Sequence, residues 1–127
     1  MDEKLIFIVD DDKVILNLLE YTFKSREGYE VKTFYSGEEC LNNIQLNPDL
    51  IVLDHRFYLQ GRDSMTGLDT LKALRKLNEN VPVIILSGQE DLTIICEYIK
   101  NGAKQYIPKE DYFIDVLLES VEKVIMN

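Results

Sequence analysis

The chain has 127 residues, of which 46% are hydrophobic, and this length is enough for one domain with a buried core. Its formal net charge of −9 argues against a nucleic-acid-binding face, because contacts to phosphates require clustered lysine and arginine side chains. We find no secretory pattern and no apolar run of membrane-spanning length. We therefore expect a cytoplasmic protein that binds cations or basic protein surfaces, and neither membranes nor nucleic acid.

The first half of the chain alternates short apolar runs with stretches of helical period. Residues 5–10 predict a strand buried on both faces, and residues 50–54 predict another. Between them we predict a helix over 13–26, a strand within 27–37 and a short helix over 38–46 that Asn47-Pro48 stops. The helix over 13–26 carries one apolar stripe, formed by Val14, Ile15, Leu18, Leu19 and Phe23.

The same alternation continues in the second half. We predict a helix over 68–77, a strand over 81–87, a helix over about 90–100 that ends at Asn101-Gly102, and a strand over 104–108. A last helix over about 111–126 has one apolar face, formed by Phe113, Val116, Leu117, Val121, Val124 and Ile125. Five β-then-α units predict a single α/β domain over 1–127, with a parallel sheet and helices on both faces.

The two cysteines, Cys40 and Cys96, form no close motif and lie in separate predicted helices. We interpret both as buried, reduced thiols, as is usual in a cytoplasmic protein. A disulfide or a reactive thiol is the alternative.

Polar side chains stand at the carboxyl ends of the predicted strands, where parallel α/β sheets bind ligands. Asp10 and Asp11 follow the first strand, Asp54 ends the third, Ser87 ends the fourth and Lys109 follows the fifth. If the first and third strands are neighbours, the three carboxylates converge, and a hard cation such as Mg²⁺ or Mn²⁺ would relieve their repulsion. A carboxylate beside such a metal can attack phosphorus to form an aspartyl phosphate, with the lysine and serine holding phosphoryl oxygens.

Taken singly, each of these residues has a simpler interpretation. An aspartate after a strand commonly caps a helix or forms a turn, as we expect for Asp12. Ser87 alone would be a turn hydroxyl, and Lys109 alone a solvated surface lysine. The only histidine, His55, adjoins Asp54, but neighbouring side chains at a strand end point opposite ways, so we expect it to face away from the pocket.

In combination, these segments resemble the receiver domain of two-component response regulators, the CheY-like family. The resemblance lies in "IFIVDDDKV", "PDLIVLD", "VPVIILSG" and "NGAKQYIPK", and it covers nearly the whole chain. It implies a flavodoxin-like, doubly wound (βα)5 fold with sheet order 2-1-3-4-5. It also implies a signalling module that catalyses only its own phosphorylation and slow dephosphorylation.

The resemblance implies a role for each acidic residue of the predicted pocket. Asp54 would be the phospho-acceptor, and Asp11 a direct ligand of Mg²⁺. Asp10 would act on the metal mainly through water, and the backbone carbonyl of Arg56 would be the third protein ligand.

Further roles follow from the same resemblance. Ser87 and Lys109 would contact the phosphate, and Ser87 would move toward it. Tyr106 would be the aromatic switch on the output face, although a half-buried strand tyrosine explains that residue equally well. Arg56 and Gln89 would flank the phosphate and tune its hydrolysis.

Two segments depart from the family pattern. The stretch "HRFYLQGRDSMT" lacks the usual proline and is about five residues longer, which makes residues 57–66 an insertion. We expect an exposed lid or partner-recognition loop there. Family members usually place a cis-proline after the lysine, whereas Glu110 follows Lys109 here, so we predict a different start of the last helix.

The resemblance implies a sensor histidine kinase or phosphotransfer protein as phosphoryl donor. It further implies an output domain or partner protein, and a possible homodimer through the fourth helix, fifth strand and fifth helix. Two alternatives stay open: an interaction module that does not depend on phosphorylation, and a phosphohydrolase acting on external substrates. Arg56 disfavours the hydrolase, because such enzymes commonly have a second acid at that position.

Overall fold

The computed structural model describes residues 3–55, 65–88 and 91–126. The strands are β1 (Lys4–Val9), β2 (Tyr29–Phe34), β3 (Leu50–Asp54), β4 (Val83–Ser87) and β5 (Gln105–Pro108). The helices are α1 (Lys13–Lys24), α2 (Gly37–Asn42), α3 (Gly67–Leu77), α4 (Leu92–Lys100) and α5 (Phe113–Met126), and a 3-10 turn covers Ile44–Leu46. Among these residues, no helix is both long and apolar enough to span a bilayer.

All neighbouring strands pair in parallel, in the order β2-β1-β3-β4-β5, which confirms the predicted fold and sheet order. The strand order reverses between β1 and β3. Successive residues of β1 point to opposite faces of the sheet: Ile6 and Ile8 join one apolar cluster, whereas Phe7 and Val9 join the other. Both faces are covered by helices, which explains why the predicted strands are apolar without alternation.

The register of the sheet brings the carboxyl ends of its central strands to one edge. Val9 pairs with Leu53, Asp54 pairs with Leu86, and Ser87 pairs with Pro108. The residue after β1, the last residues of β3 and β4, and the residue after β5 therefore lie at a common level. This edge holds the candidate functional site.

The predicted stripe of α1 is wrong at two positions. Val14 and Leu18 are 74% and 43% exposed, whereas Leu16, Leu19 and Phe23 are buried. The segment is apolar at so many consecutive positions that two overlapping stripes satisfy the helical period. The side chain of Asp12 accepts hydrogen bonds from the backbone N–H groups of Val14 and Ile15, which confirms the predicted cap.

The predicted apolar face of α5 needs one correction. Val116 is 46% exposed, whereas Leu117, Leu118 and Val121 are buried and Ile114 packs against the same core. The start of this helix is free of a cis peptide bond, as are the other described residues. Instead, Tyr112 adopts a left-handed backbone with φ of 67° just before α5.

The two cysteines differ in environment. Cys40 is buried and its thiol is free, and burial raises its pKa to about 12. Cys96 is also free but is exposed on α4, so the prediction that both thiols are buried is wrong for this residue.

Gly37 of α2 lies against Thr70 of α3. It is buried, and a Cβ at this position would collide with the side chain of Thr70. We expect Gly37→Ala to lower the free energy of unfolding by about 2 kcal/mol, because it overpacks a tight contact. Urea unfolding measures the change, and adding Thr70→Ala to the Gly37→Ala variant should recover part of the loss. Equal stability of Gly37→Ala and the parent would contradict this contact.

Candidate functional site

Five side chains predicted to share a pocket emerge at the carboxyl edge of the sheet. Asp10 follows β1, Asp54 ends β3, Ser87 ends β4 and Lys109 follows β5, while Asp11 precedes α1. Asp10, Asp54 and Ser87 are almost fully buried, at 1%, 3% and 1% exposed. Such burial is unusual for carboxylates, which need partners to be stable in the interior.

The three carboxylates form a compact acidic cluster. One oxygen each from Asp10, Asp11 and Asp54 lies within 4.8 Å of the others. The backbone N–H of Asp12 donates a hydrogen bond of 2.8 Å to Asp10 Oδ1, which holds that carboxylate toward the cluster. The cluster thus combines fixed geometry with unfavourable charge.

Lys109 bridges the two buried carboxylates. Its Nζ lies 2.8 Å from Asp54 Oδ1 and 3.1 Å from Asp10 Oδ2. Its backbone N–H donates to the carbonyl of Ser87 over 2.6 Å, which ties the residue to the end of β4. The ammonium therefore faces any group attached to Asp54.

One ammonium does not offset the negative charge of the cluster. Burial and then the neighbouring Asp10 raise the pKa of Asp54 to about 7, despite the attraction of Lys109. Burial also raises the pKa of Asp10. For Lys109, burial alone would lower the pKa, but the two carboxylates outweigh it and the net shift is upward. The charged forms of Asp10 and Asp54 are therefore unfavourable in the folded protein, and a bound cation would stabilise them.

The donor set of the cluster suits a hard divalent cation. Its three carboxylates supply only oxygen ligands, and oxygen-only sites favour Mg²⁺ or Mn²⁺ over zinc. Arg56, whose backbone carbonyl was predicted as a further ligand, lies outside the described residues, as does Gln89. Most of the predicted insertion, residues 57–64, lies outside them as well.

Comparison with known proteins identifies the family to which this acidic edge belongs. The family model for the response regulator receiver domain matches residues 6–122. The chain is a member of the response regulator receiver family. It is therefore a module of two-component signalling, and the resemblance deduced from the sequence is confirmed.

Curated relatives of this receiver differ in how much of their length it covers. It is 36% identical over 108 residues to the response regulator protein TmoT of Ectopseudomonas mendocina, covering 84% of this chain but 46% of the relative. It is 32% identical over 126 residues to sporulation initiation phosphotransferase F of Bacillus subtilis, covering 98% of this chain and 95% of that protein. The chain thus spans less than half of TmoT and nearly all of the phosphotransferase.

Solved structures show the same fold. The receiver domain of the Francisella response regulator 1452 superposes with a TM-score of 0.84 at 31% identity, with 98% of both chains covered. Chemotaxis protein CheY4 of Vibrio cholerae gives a TM-score of 0.83 at 26% identity, with 96% of this chain and 98% of that chain covered. Both superpositions cover nearly the whole of this chain, so the fold is shared over its full length.

The ring of His55 contacts α4. Its Nδ1 lies 2.5 Å from the hydroxyl of Tyr98, and the two rings meet edge to face with centroids 5.3 Å apart. Sequence reasoning missed Tyr98 as its partner. The available signal was its spacing of four residues from the apolar Ile94, which predicts an inward-facing position on α4.

Tyr106, the predicted switch residue, is half-buried in β5. It packs against the apolar cluster that also contains Tyr98, with the two ring centroids 6.0 Å apart. Burial raises the pKa of Tyr98, and the neighbouring Tyr106 and Asp54 raise it further. The side chain of Tyr98 therefore lies near both Asp54 and Tyr106.

The described end of the insertion is well anchored. The backbone N–H of Met65 donates to a carboxylate oxygen of Glu38 over 3.2 Å. Thr66 and Asp69 form a reciprocal capping box at the start of α3. The chain is thus held firmly from residue 65 onward, directly beside the site.

Proposed function

We propose that residues 1–127 form a single receiver domain that is phosphorylated on Asp54 by a sensor histidine kinase or a phosphotransfer protein. A carboxylate oxygen of Asp54 attacks the phosphorus of a phosphohistidine. The new P–O bond forms as the P–N bond breaks, and the imidazole of the donor leaves. The bridge from Lys109 Nζ to Asp54 and Asp10 is the observation that carries this proposal, since it places a cation beside the attacking oxygen.

The acidic cluster supports a metal requirement. Asp10, Asp11 and Asp54 would hold Mg²⁺ or Mn²⁺ together with the backbone carbonyl of Arg56. When bound, the cation neutralises charge on the phosphoryl oxygens. Lys109 and the hydroxyl of Ser87 contact the remaining phosphoryl oxygens.

The output follows from movement at the ends of β4 and β5. Ser87 shifts toward the phosphate, Tyr106 follows, and the surface formed by α4, β5 and α5 changes its preference for a partner protein, an output domain or a second copy. Slow hydrolysis, tuned by Arg56 and Gln89, resets the receiver. Residues 57–66 act as a lid or recognition loop, and all of this takes place in the cytoplasm.

Incubation with acetyl phosphate and Mg²⁺ tests the central claim. We expect intact-mass analysis to show one phosphoryl adduct on the parent and none on Asp54→Ala, and a chelator should suppress the adduct. Partner binding that is unchanged in Asp54→Ala would favour an interaction module instead. A parent that accepts no phosphoryl group from small-molecule donors or kinases would refute the proposal.

A further inference from the structure

Three elements meet one residue beyond the proposed phospho-acceptor. The backbone N–H of Gly67, the first residue of α3, donates to the carbonyl of His55 over 3.3 Å. A Cβ on Gly67 would lie 2.6 Å from the carbonyl oxygen of Asp54 and 2.6 Å from the hydroxyl of Tyr98. The hydroxyl of Tyr98 in α4 thus reaches the end of β3 because Gly67 has no side chain at this point.

Tyr98 links this meeting point to the output side of the sheet. Its side chain is fully buried, and its hydroxyl lies 2.5 Å from His55 Nδ1. The ring of Tyr98 also lies beside that of Tyr106 in β5, with the two ring centroids 6.0 Å apart. A continuous line of contacts therefore runs from the residue after Asp54, through α4, to the predicted switch tyrosine.

Core packing alone does not explain why position 98 carries a hydroxyl that meets the imidazole of His55. A phenylalanine at position 98 would fill the same core with no hydroxyl to bury, and burying a hydroxyl is favourable only when it is hydrogen-bonded. The His55–Tyr98 hydrogen bond joins the residue after β3 to the middle of α4 over 2.5 Å, so it constrains the position of α4 relative to β3. Coupling between two sites requires such an element, whose position both sites can bias.

We propose that the hydrogen-bonded pair of His55 and Tyr98 is a positioning device that couples the state of Asp54 to the position of α4 and Tyr106. Both residues act through their neighbours and neither contacts the phosphoryl group. This inference rests on the proposed function, because it assigns a route for the signal that phosphorylation of Asp54 would generate.

The test compares amide hydrogen exchange with and without Mg²⁺ and beryllofluoride, a stable mimic of the phosphoryl group. In the parent, we expect beryllofluoride to change exchange both around Asp54 and Lys109 and across residues 92–100. A net hydrogen bond typically shifts an equilibrium by about fivefold. In Tyr98→Phe and in His55→Phe, we therefore expect the change across α4 to fall by about fivefold, while the change around Asp54 persists.

Two features separate coupling from simple loss of packing. A packing defect raises exchange in α4 equally with and without beryllofluoride, so the difference between the two states would stay as in the parent. The double variant should lose no more coupling than either single variant, because both remove the same bond. Tyr21→Phe, which removes a hydroxyl from the exposed Tyr21 of α1, is the matched control and should respond like the parent.

The outcomes are distinguishable. Unchanged α4 responses in both single variants overturn this inference and leave the proposed function intact. A parent that shows no response to beryllofluoride at Asp54 overturns the proposed function and this inference with it. If Tyr98→Phe does not fold, the response of α4 in His55→Phe decides between these outcomes. His55→Phe removes the same hydrogen bond, and His55 is only half-buried, so the substitution disturbs the core less.

Discussion

Replacing Asp54 with asparagine is expected to raise the free energy of unfolding of the metal-free protein at pH 8 by roughly 2–4 kcal/mol. The carboxylate is 3% exposed and lies in a cluster with Asp10 and Asp11, where its charged form is unfavourable. Asparagine has nearly the same shape but carries no charge. A residue proposed to be essential for function is therefore predicted to reduce stability when no metal is bound.

The effect has a definite pH dependence. The pKa of Asp54 is about 7 in the folded protein against an ordinary value of 3.8. Between these values the folded state holds a proton that the unfolded state has lost, so the free energy of unfolding falls as the pH rises. This contribution is complete below pH 4 and lost above pH 7. The increase in the free energy of unfolding caused by Asp54→Asn should therefore be small near pH 4 and largest near pH 8.

Urea unfolding at several pH values in the presence of a chelator measures this difference. Glu30→Gln removes the same charge from an exposed position of β2 and should change stability little. Adding Mg²⁺ should favour the parent, since a ligand at one hundred times its dissociation constant stabilises by about 2.7 kcal/mol. A variant that is less stable than the parent at pH 8 without metal would show that Lys109 already compensates the cluster.

The fold and the site were predictable from sequence for a common physical reason. Strands buried on both faces are uniformly apolar, so the first polar residue after each run marks both the end of the strand and the edge of the sheet. Asp10, Asp54 and Ser87 were located in this way, and the parallel register then brings them together. Lys109 was found by the same reasoning after β5.

The buried face of α1 and the partner of His55 depend on tertiary contacts, which the periodicity of apolar residues in the sequence does not encode. In α1, the apolar run permits burial of either Val14 and Leu18 or Leu16 and Leu19, and only packing against the sheet selects the second pair. The partner of His55 lies 43 residues away on α4. The helical spacing of Tyr98 predicts that it faces inward, but no local pattern predicts that its hydroxyl meets His55, because the two residues lie in different elements.

Replacing Lys109 with methionine is expected to have the opposite effect on stability from Asp54→Asn. The substitution retains most of the side-chain volume but removes the ammonium that lies 2.8 Å from Asp54 and 3.1 Å from Asp10. Two buried carboxylates would then share a pocket without a cation. Leaving buried charge uncompensated costs about 3 kcal/mol or more, so the metal-free variant should unfold at markedly lower urea concentration at pH 8.

The same substitution should slow phosphorylation. Removing one group that stabilises developing charge typically lowers a rate by about 10²-fold or more, and Lys109 is the described cation beside Asp54. Intact-mass time courses with acetyl phosphate at saturating Mg²⁺ measure the rate, and Lys104→Met, which removes an exposed lysine just before β5, provides the matched control.

A combined substitution separates the two roles of Lys109. In an Asp54→Asn background, Lys109→Met should cost much less stability, because one of the two carboxylates that it neutralises is absent. If Lys109→Met costs the same in both backgrounds, the ammonium stabilises the fold independently of its ion pair with Asp54. If the single variant is phosphorylated at the parental rate, the attacking oxygen does not need this cation. The bridge seen between Asp54 and Asp10 would then serve only to hold the unphosphorylated cluster together.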